Sequence, residues 1–170
     1  RNLHKSFGDL EVLKGIDLEI KKGEIFGFIG PNGAGKSTTM KIISGLLSPD
    51  SGEVYVDGID AIKNNRALKD KIGYMPDFFG VYDNLKAIEY LEFYASIYGI
   101  VGKEARDLSM DLLRLVNLED KYDAYVDGLS RGMKQRLCLA RCLVHNPDLL
   151  ILDEPASGMD PRARYEMKGI

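Results

Sequence analysis

Apolar and polar positions change period along this chain, and each change predicts an element. IDLEI, from Ile16 to Ile20, alternates apolar with charged residues, which predicts a half-buried strand, and KKG then turns the chain. The next run, EIFGFIG at residues 24–30, is apolar nearly throughout, the pattern of a central strand covered on both faces as in a parallel sheet. Residues 36–47 predict a helix ended by the turn-rich SPDSG; EVYVDG predicts a strand and turn, and KIGYM a further short strand. From Asn84 to about Leu118 the period becomes helical. Leu85, Ile88, Leu91, Ala95 and Tyr98 fall at helical spacing, followed by Ala105, Leu108, Leu112 and Leu115, so two amphipathic helices are expected. The aromatic residues Tyr90, Phe93 and Tyr94 are expected to serve core packing or a partner-facing surface rather than a ligand box. A third helix follows Ser130 and runs to about Val144, and Asp148 to Leu152 reads as a final buried strand. The sum is an α/β core holding a helical insertion.

Composition narrows the class. With 170 residues of which 45% are hydrophobic, the chain is long enough to bury a core without disulfides or a structural metal. A net charge of -3 and a pI near 5.5 supply no basic footprint for a nucleic-acid backbone or an anionic membrane surface. No apolar run approaches the roughly 18 residues of a membrane span, and the polar start RNLHKSFGD is neither a signal nor a transit peptide. If a membrane matters, another chain or segment spans it. Cys138 and Cys142 share one helix face in RLCLARCLV and read as small buried residues, in keeping with a reducing cytosol. The start at Arg1 and the close PRARYEMKGI, which reads as an interrupted helix, lead us to expect a fragment.

Two stretches carry chemistry. GPNGAGKST, from Gly30 to Thr38, fits G-x-x-x-x-G-K-[ST] and lies between a predicted strand and a predicted helix, the context that motif requires. Gly30, Gly33 and Gly35 let the backbone of Gly30, Pro31, Asn32, Gly33, Ala34 and Gly35 turn its N–H groups around phosphate oxygens. Lys36 supplies a charge to β and γ phosphates, Ser37 a hydroxyl for Mg²⁺, and Thr38 a further phosphate hydrogen bond. LLILDEP then sets Asp153 and Glu154 at the end of an apolar strand, where open α/β sheets present ligand groups. Asp153 is expected to hold Mg²⁺ and Glu154 to orient or deprotonate the water that attacks the γ-phosphate. A third stretch, LSRGMKQRL from Leu129 to Leu137, has the make-up of a second phosphate-binding helix start, with Ser130 as its N-cap.

With these residues in order, the whole chain resembles the nucleotide-binding domain of an ABC transporter. LSRGMKQRL resembles the ABC signature usually written LSGGQ, SGMD from Ser157 to Asp160 resembles the D-loop, and SFG puts Phe7 where the family stacks an aromatic on adenine. Stacking needs only a ring, at about 1–3 kcal/mol per base. The fold implied is a P-loop NTPase of the ABC ATPase type: a RecA-like core, an N-terminal antiparallel β portion and an inserted α-helical subdomain. Residues 1–170 would form a single ABC ATPase domain, incomplete at both ends. Its core would take about 1–76 and 136–170, and its helical subdomain with the signature loop about 77–135.

The resemblance departs from the common pattern in three places. Asp77 stands where the family commonly has Gln; an ionised Asp accepts from a Mg²⁺-bound water but cannot donate as an amide does. Arg131 and Met133 replace the usual Gly and Gln of the signature, as in many bacterial export-type members, while Ser130 and Gly132 are retained. The family's switch histidine is expected beyond Ile170, and His4 and His145 stand at neither its motif position nor its role. The resemblance implies ATP and Mg²⁺ as cofactors, and hydrolysis powering transport, export above import, through a separate permease. A soluble ABC ATPase of translation or DNA repair is the alternative. A second copy or paralogue would complete each site with Ser130 and Gly132 in trans. A permease helix would dock near the Asp77 loop, where Tyr74, Phe78, Phe79 and Tyr82 offer aromatic surface. That assembly implies the cytoplasmic face of the membrane and no nucleic-acid partner.

Overall fold

In a computed structural model of the chain, residues 1–76 and 84–153 are described. The chain divides into two compact units, Arg1–Ile72 and Gly73–Ile170.

The first unit opens with a hairpin. Strand β1 (Leu3–Phe7) pairs antiparallel with β2 (Leu10–Ile16) across the turn Gly8–Asp9, in which Gly8 takes φ 58°. The register shifts between Lys5 and Ser6, so the hairpin bends near its tip. Helix α1 (Lys36–Ile43) follows the glycine-rich loop, and Asn65 Nδ2 donates to the Gly45 carbonyl at 2.7 Å just beyond its end. Strands β3 (Tyr55–Val56) and β4 (Ile59–Asp60) form a second hairpin, with Asp57 and Gly58 both at positive φ as a two-residue turn requires. A single turn, α2 (Asn65–Leu68), closes the unit, whose core holds Leu3, Leu13, Ile42, Val54, Val56, Ala61 and Leu68.

Two strands expected here are not formed. Ile16 ends β2, and residues 17–30 carry no strand. In the run 24–30, Ile25 and Ile29 are exposed at 102% and 95%, although the sequence predicts burial on both faces. Elsewhere in this unit the strands pair only as β1 with β2 and β3 with β4, and neither hairpin lends residues 24–30 a ladder. An apolar run lacking neighbours on its edges has no hydrogen bonds to hold it extended and nothing to cover its side chains.

The second unit is built on helices α3 (Ala87–Ile97), α4 (Gly102–Leu115) and α5 (Arg131–Leu143). The Lys86 N–H donates to Glu89 Oε2 at 2.9 Å and so caps the start of α3. Ala87, Ile88, Tyr90, Leu91 and Ala95 bury one face of α3 against Ala105, Leu112 and Leu113 of α4 and Leu137, Cys138 and Leu139 of α5. Tyr90 is fully buried with Tyr94 edge-on at 5.0 Å, while Phe93 is half-exposed. The stripe on α4 differs from expectation at its end: Leu115 is 51% exposed and Val116 is buried. At 3.6 residues per turn, Val116 lies roughly 20° around the helix from Ala105, and Leu115 roughly 80°.

Asn117 then reverses the chain at φ 55°, and Arg136 of α5 donates to the carbonyls of Val116 and Asn117 at 3.3 and 3.2 Å, closing α4 from its neighbour. Strand β5 (Ile72–Met75) pairs with β6 (Leu149–Leu152). Gly73 has no room for a side chain, since a Cβ there would lie 2.5 Å from the Cys142 carbonyl oxygen at the end of α5. Only Ile151 of β6 is buried, so the expectation of a wholly buried final strand is corrected. Among the described residues no helix is long and apolar enough to cross a membrane.

Candidate functional site

The glycine-rich loop has the geometry its composition calls for. Gly33 and Gly35 adopt φ 82° and 83°, the left-handed region in which a side chain is strained. Gly35 meets a second constraint, because a Cβ there would sit 2.5 Å from Leu13 Cδ2 and 3.2 Å from the Val12 carbonyl. Strand β2 therefore buttresses the loop from behind. Lys36 Nζ donates to the carbonyls of Gly30 and Pro31 at 2.7 and 2.8 Å, holding the ammonium at the mouth of the loop. Gly35 is also the N-cap of α1, and no side chain caps this terminus. Within the first turn Thr39 donates from its N–H and its hydroxyl to the Gly35 carbonyl, at 2.8 and 2.9 Å, leaving Ser37 exposed and Thr38 half-buried.

These residues fit the triphosphate end of a nucleotide. Glycines at positive φ, the uncapped positive end of a helix and an ammonium held by two carbonyls that phosphate oxygens can replace together make an anion cradle. Sequence reading finds every motif residue here but misses the buttress, which requires Leu13 and Gly35 to meet across twenty-two positions of chain.

The β1–β2 hairpin carries the aromatic candidate. Phe7 is 50% exposed at the end of β1. Lys5 lies opposite Leu13 in the ladder and two residues from Phe7 on the same strand. Lys5 and Phe7 alternate to one side of β1. Lys5 Nζ stands over the Phe7 ring at 5.6 Å from its centroid and donates to Asp50 Oδ1 at 2.7 Å. Asp50 in turn accepts from the Ser6 N–H at 2.6 Å and donates its own N–H to the His4 carbonyl at 2.9 Å. The Lys5 hydrogen bond, then that of Ser6, holds the Asp50 carboxyl below its ordinary range. His4 sits between Glu11 and Asn2, each 3.3 Å from a ring nitrogen, as a structural residue of the hairpin.

In the second unit Asp153 follows β6 and is 5% exposed. Its N–H donates to the Met75 carbonyl at 2.9 Å, and the Tyr74 hydroxyl donates to its Oδ2 at 3.5 Å. Tyr74, expected among docking aromatics, is thus half-buried in β5 with its hydroxyl on this carboxylate. Asp77, Phe78, Phe79, Tyr82, Glu154 and Ser157 to Asp160 lie outside the described residues.

LSRGMKQRL starts α5 as expected. Ser130 is extended at φ -61° and ψ 161°, and its Oγ accepts from the Met133 N–H at 3.3 Å. Leu129 and Gln135 are buried, Gly132 is half-buried, and Arg131 is exposed at the first helical position. Further along α5 both cysteines are free and buried, and the Cys142 thiol donates to the Tyr74 carbonyl at 3.2 Å. The hydrogen bond between the two thiols, followed by burial, pushes the Cys138 thiol up, while the same hydrogen bond draws the Cys142 thiol down to about 7. The Arg141 guanidinium lies over the Tyr94 ring at 5.2 Å, and His145 stacks on Tyr98 at 4.4 Å.

Comparison with known proteins adds to this geometry. The family profile described as ABC transporter matches residues 13–157. The Nod factor export ATP-binding protein I of Burkholderia orbicola (strain AU 1054) is 42% identical over 167 residues, covering 98% of this chain and 55% of that protein. The linearmycin resistance ATP-binding protein LnrL of Bacillus subtilis (strain 168) is 42% identical over 163 residues, covering 96% of this chain and 52% of its own length. The chain therefore spans about half the length of the curated relatives it matches. Among solved structures, a dimeric MJ0796 bacterial ABC transporter cassette superposes with a TM-score of 0.88 at 30% identity, over 99% of this chain and 78% of the other. The MJ0796 cassette in a dimeric post-hydrolysis state bound to ADP and Pi gives 0.87 at 30% identity, with the same coverage.

Proposed function

Since the chain belongs to the ABC transporter family, we propose that it binds and hydrolyses ATP as the nucleotide-binding part of a transporter that moves its substrate outward through a separate permease. The observation that carries this reading is the loop from Gly30 to Lys36, with Gly33 and Gly35 at positive φ, its uncapped helix and its lysine parked on two carbonyls. Lys36 exchanges those carbonyls for β and γ phosphate oxygens, and the N–H groups of the loop hold the remaining oxygens. Phe7, half-exposed at the end of β1, stacks on the adenine. Ser37, Asp153 and Asp77 would supply oxygen donors for Mg²⁺, which would neutralise charge on the phosphates. Glu154 orients the attacking water and takes its proton.

The domain is read as a core of about residues 1–76 and 136–170 around a helical part of about 77–135. Two such domains close over two nucleotides, each lending Ser130 and Gly132 to the other's γ-phosphate, at the cytoplasmic face of the membrane. Export is favoured by the two relatives above, an export and a resistance ATP-binding protein.

The test is phosphate release by the full chain and its Glu154→Gln variant. Loss of a general base costs about 10²–10⁴-fold in turnover, and the variant is expected to retain bound ATP at that reduced rate. Turnover within about twofold of wild type would remove Glu154 from its role.

A further inference from the structure

We propose that Lys5, fixed by Asp50, is a positioning residue for the nucleotide base: it covers one face of the Phe7 ring and leaves the other for adenine. This rests on the reading of Phe7 as the adenine platform and assigns how that platform is held. A half-exposed phenylalanine at the tip of a hairpin is free to rotate, and a ring that rotates loses part of its stacking energy to ordering. Three observations hold this ring in place. The Lys5 ammonium lies 5.6 Å from the ring centroid, within the range of an attractive contact between a cation and a ring face. The ammonium does not wander, because Asp50 Oδ1 accepts from it at 2.7 Å and only 15% of the Lys5 side chain is exposed. Asp50 is itself pinned to β1 on both sides of Lys5, through the His4 carbonyl and the Ser6 N–H.

Lys5 reaches the Phe7 ring from two residues back on the same strand, and half of Phe7 stays exposed. The lysine therefore occupies one face of the ring from the strand, and the base meets the face that remains. A positive charge over one face also draws on the ring's π-electrons, so Lys5 affects the strength of stacking as well as its geometry.

The experiment measures calorimetric affinity of the full chain for ATP and for tripolyphosphate, which has no base. Phe7→Ala is expected to weaken ATP about five- to a hundredfold, and Lys5→Met about two- to fivefold, with tripolyphosphate affinity unchanged in both. Lys5→Arg, which keeps a cation over the ring, is expected to restore ATP affinity. Should Lys5→Met fail to fold, Asp50→Asn releases the ammonium without removing it and is expected to act in the same direction. ATP affinity unchanged in Lys5→Met, or in Asp50→Asn where that variant is used, alongside a weakened Phe7→Ala, would overturn the positioning role and leave the platform standing. An unchanged Phe7→Ala would overturn the platform itself. Equal losses for ATP and tripolyphosphate in the Lys5 variant, or no restoration by Lys5→Arg, would show that Lys5 acts on phosphate or on the hairpin alone and overturn the inference.

Discussion

Helices α1 and α5 begin in contrasting ways. Each has a basic residue first, Lys36 or Arg131, and neither has an acidic residue in its first turn. A cation at that end is unfavourable by about 0.3–1 kcal/mol, so both termini are electropositive beyond what their dipoles supply. The caps differ. α1 starts from Gly35, which caps nothing, while α5 starts from Ser130, whose Oγ accepts from the Met133 N–H. The phosphate loop thus offers its donors to a ligand and takes its shape from outside, through Leu13 against Gly35. The signature loop caps one of its own N–H groups, that of Met133, with its serine, whose hydroxyl proton is left to donate. Under the function proposed above, such a difference would suit unequal roles: one terminus to hold a nucleotide, the other to close over one already held.

Removing the lysine should break the comparison most. Lys36→Ala deletes two charge-assisted contacts, each worth about 1.5–3 kcal/mol. Calorimetric ATP affinity should fall by about tenfold or more, and an unchanged affinity would refute the cradle. Gly35→Ala tests the outside support. A side chain at φ 83° against Leu13 should cost about 1–3 kcal/mol in denaturant unfolding. Leu13→Ala in the same chain should relieve the clash part of the loss, so the double variant falls short of the sum of the singles. Strict additivity would mean that Leu13 does not shape the loop. Ser130→Ala should have the smallest effect, about 1 kcal/mol of stability for a lost N-cap, with ATP affinity of the isolated chain unchanged. A large loss of that affinity would make the two helix starts more alike than their caps suggest.

How much was legible in the sequence depends on where each element finds its partners. The helices α3, α4 and α5 were readable because their hydrogen bonds lie within the segment and their apolar faces repeat every three or four residues. Even there, the choice of Val116 over Leu115 followed the drift of the helix face and had to be seen against its neighbours. The phosphate loop was readable because its chemistry is contiguous, from Gly30 to Thr38. The hold of Lys5 on Phe7 was not, because it passes through Asp50, far along the chain. The contact of Tyr74 with Asp153 was not readable for a related reason: alternation in a strand gives a side chain a face but not its partner.

By itself, then, the sequence determined the phosphate-binding motif and the helical part, both of which rest on contacts within a few residues. Tertiary structure alone decided that Leu13 buttresses Gly35, that Gly73 admits the end of α5, and that residues 24–30 lie uncovered despite an interior composition. A helix brings its own hydrogen-bond partners, whereas a strand, a buttress or a positioning pair exists only when a distant segment arrives to complete it.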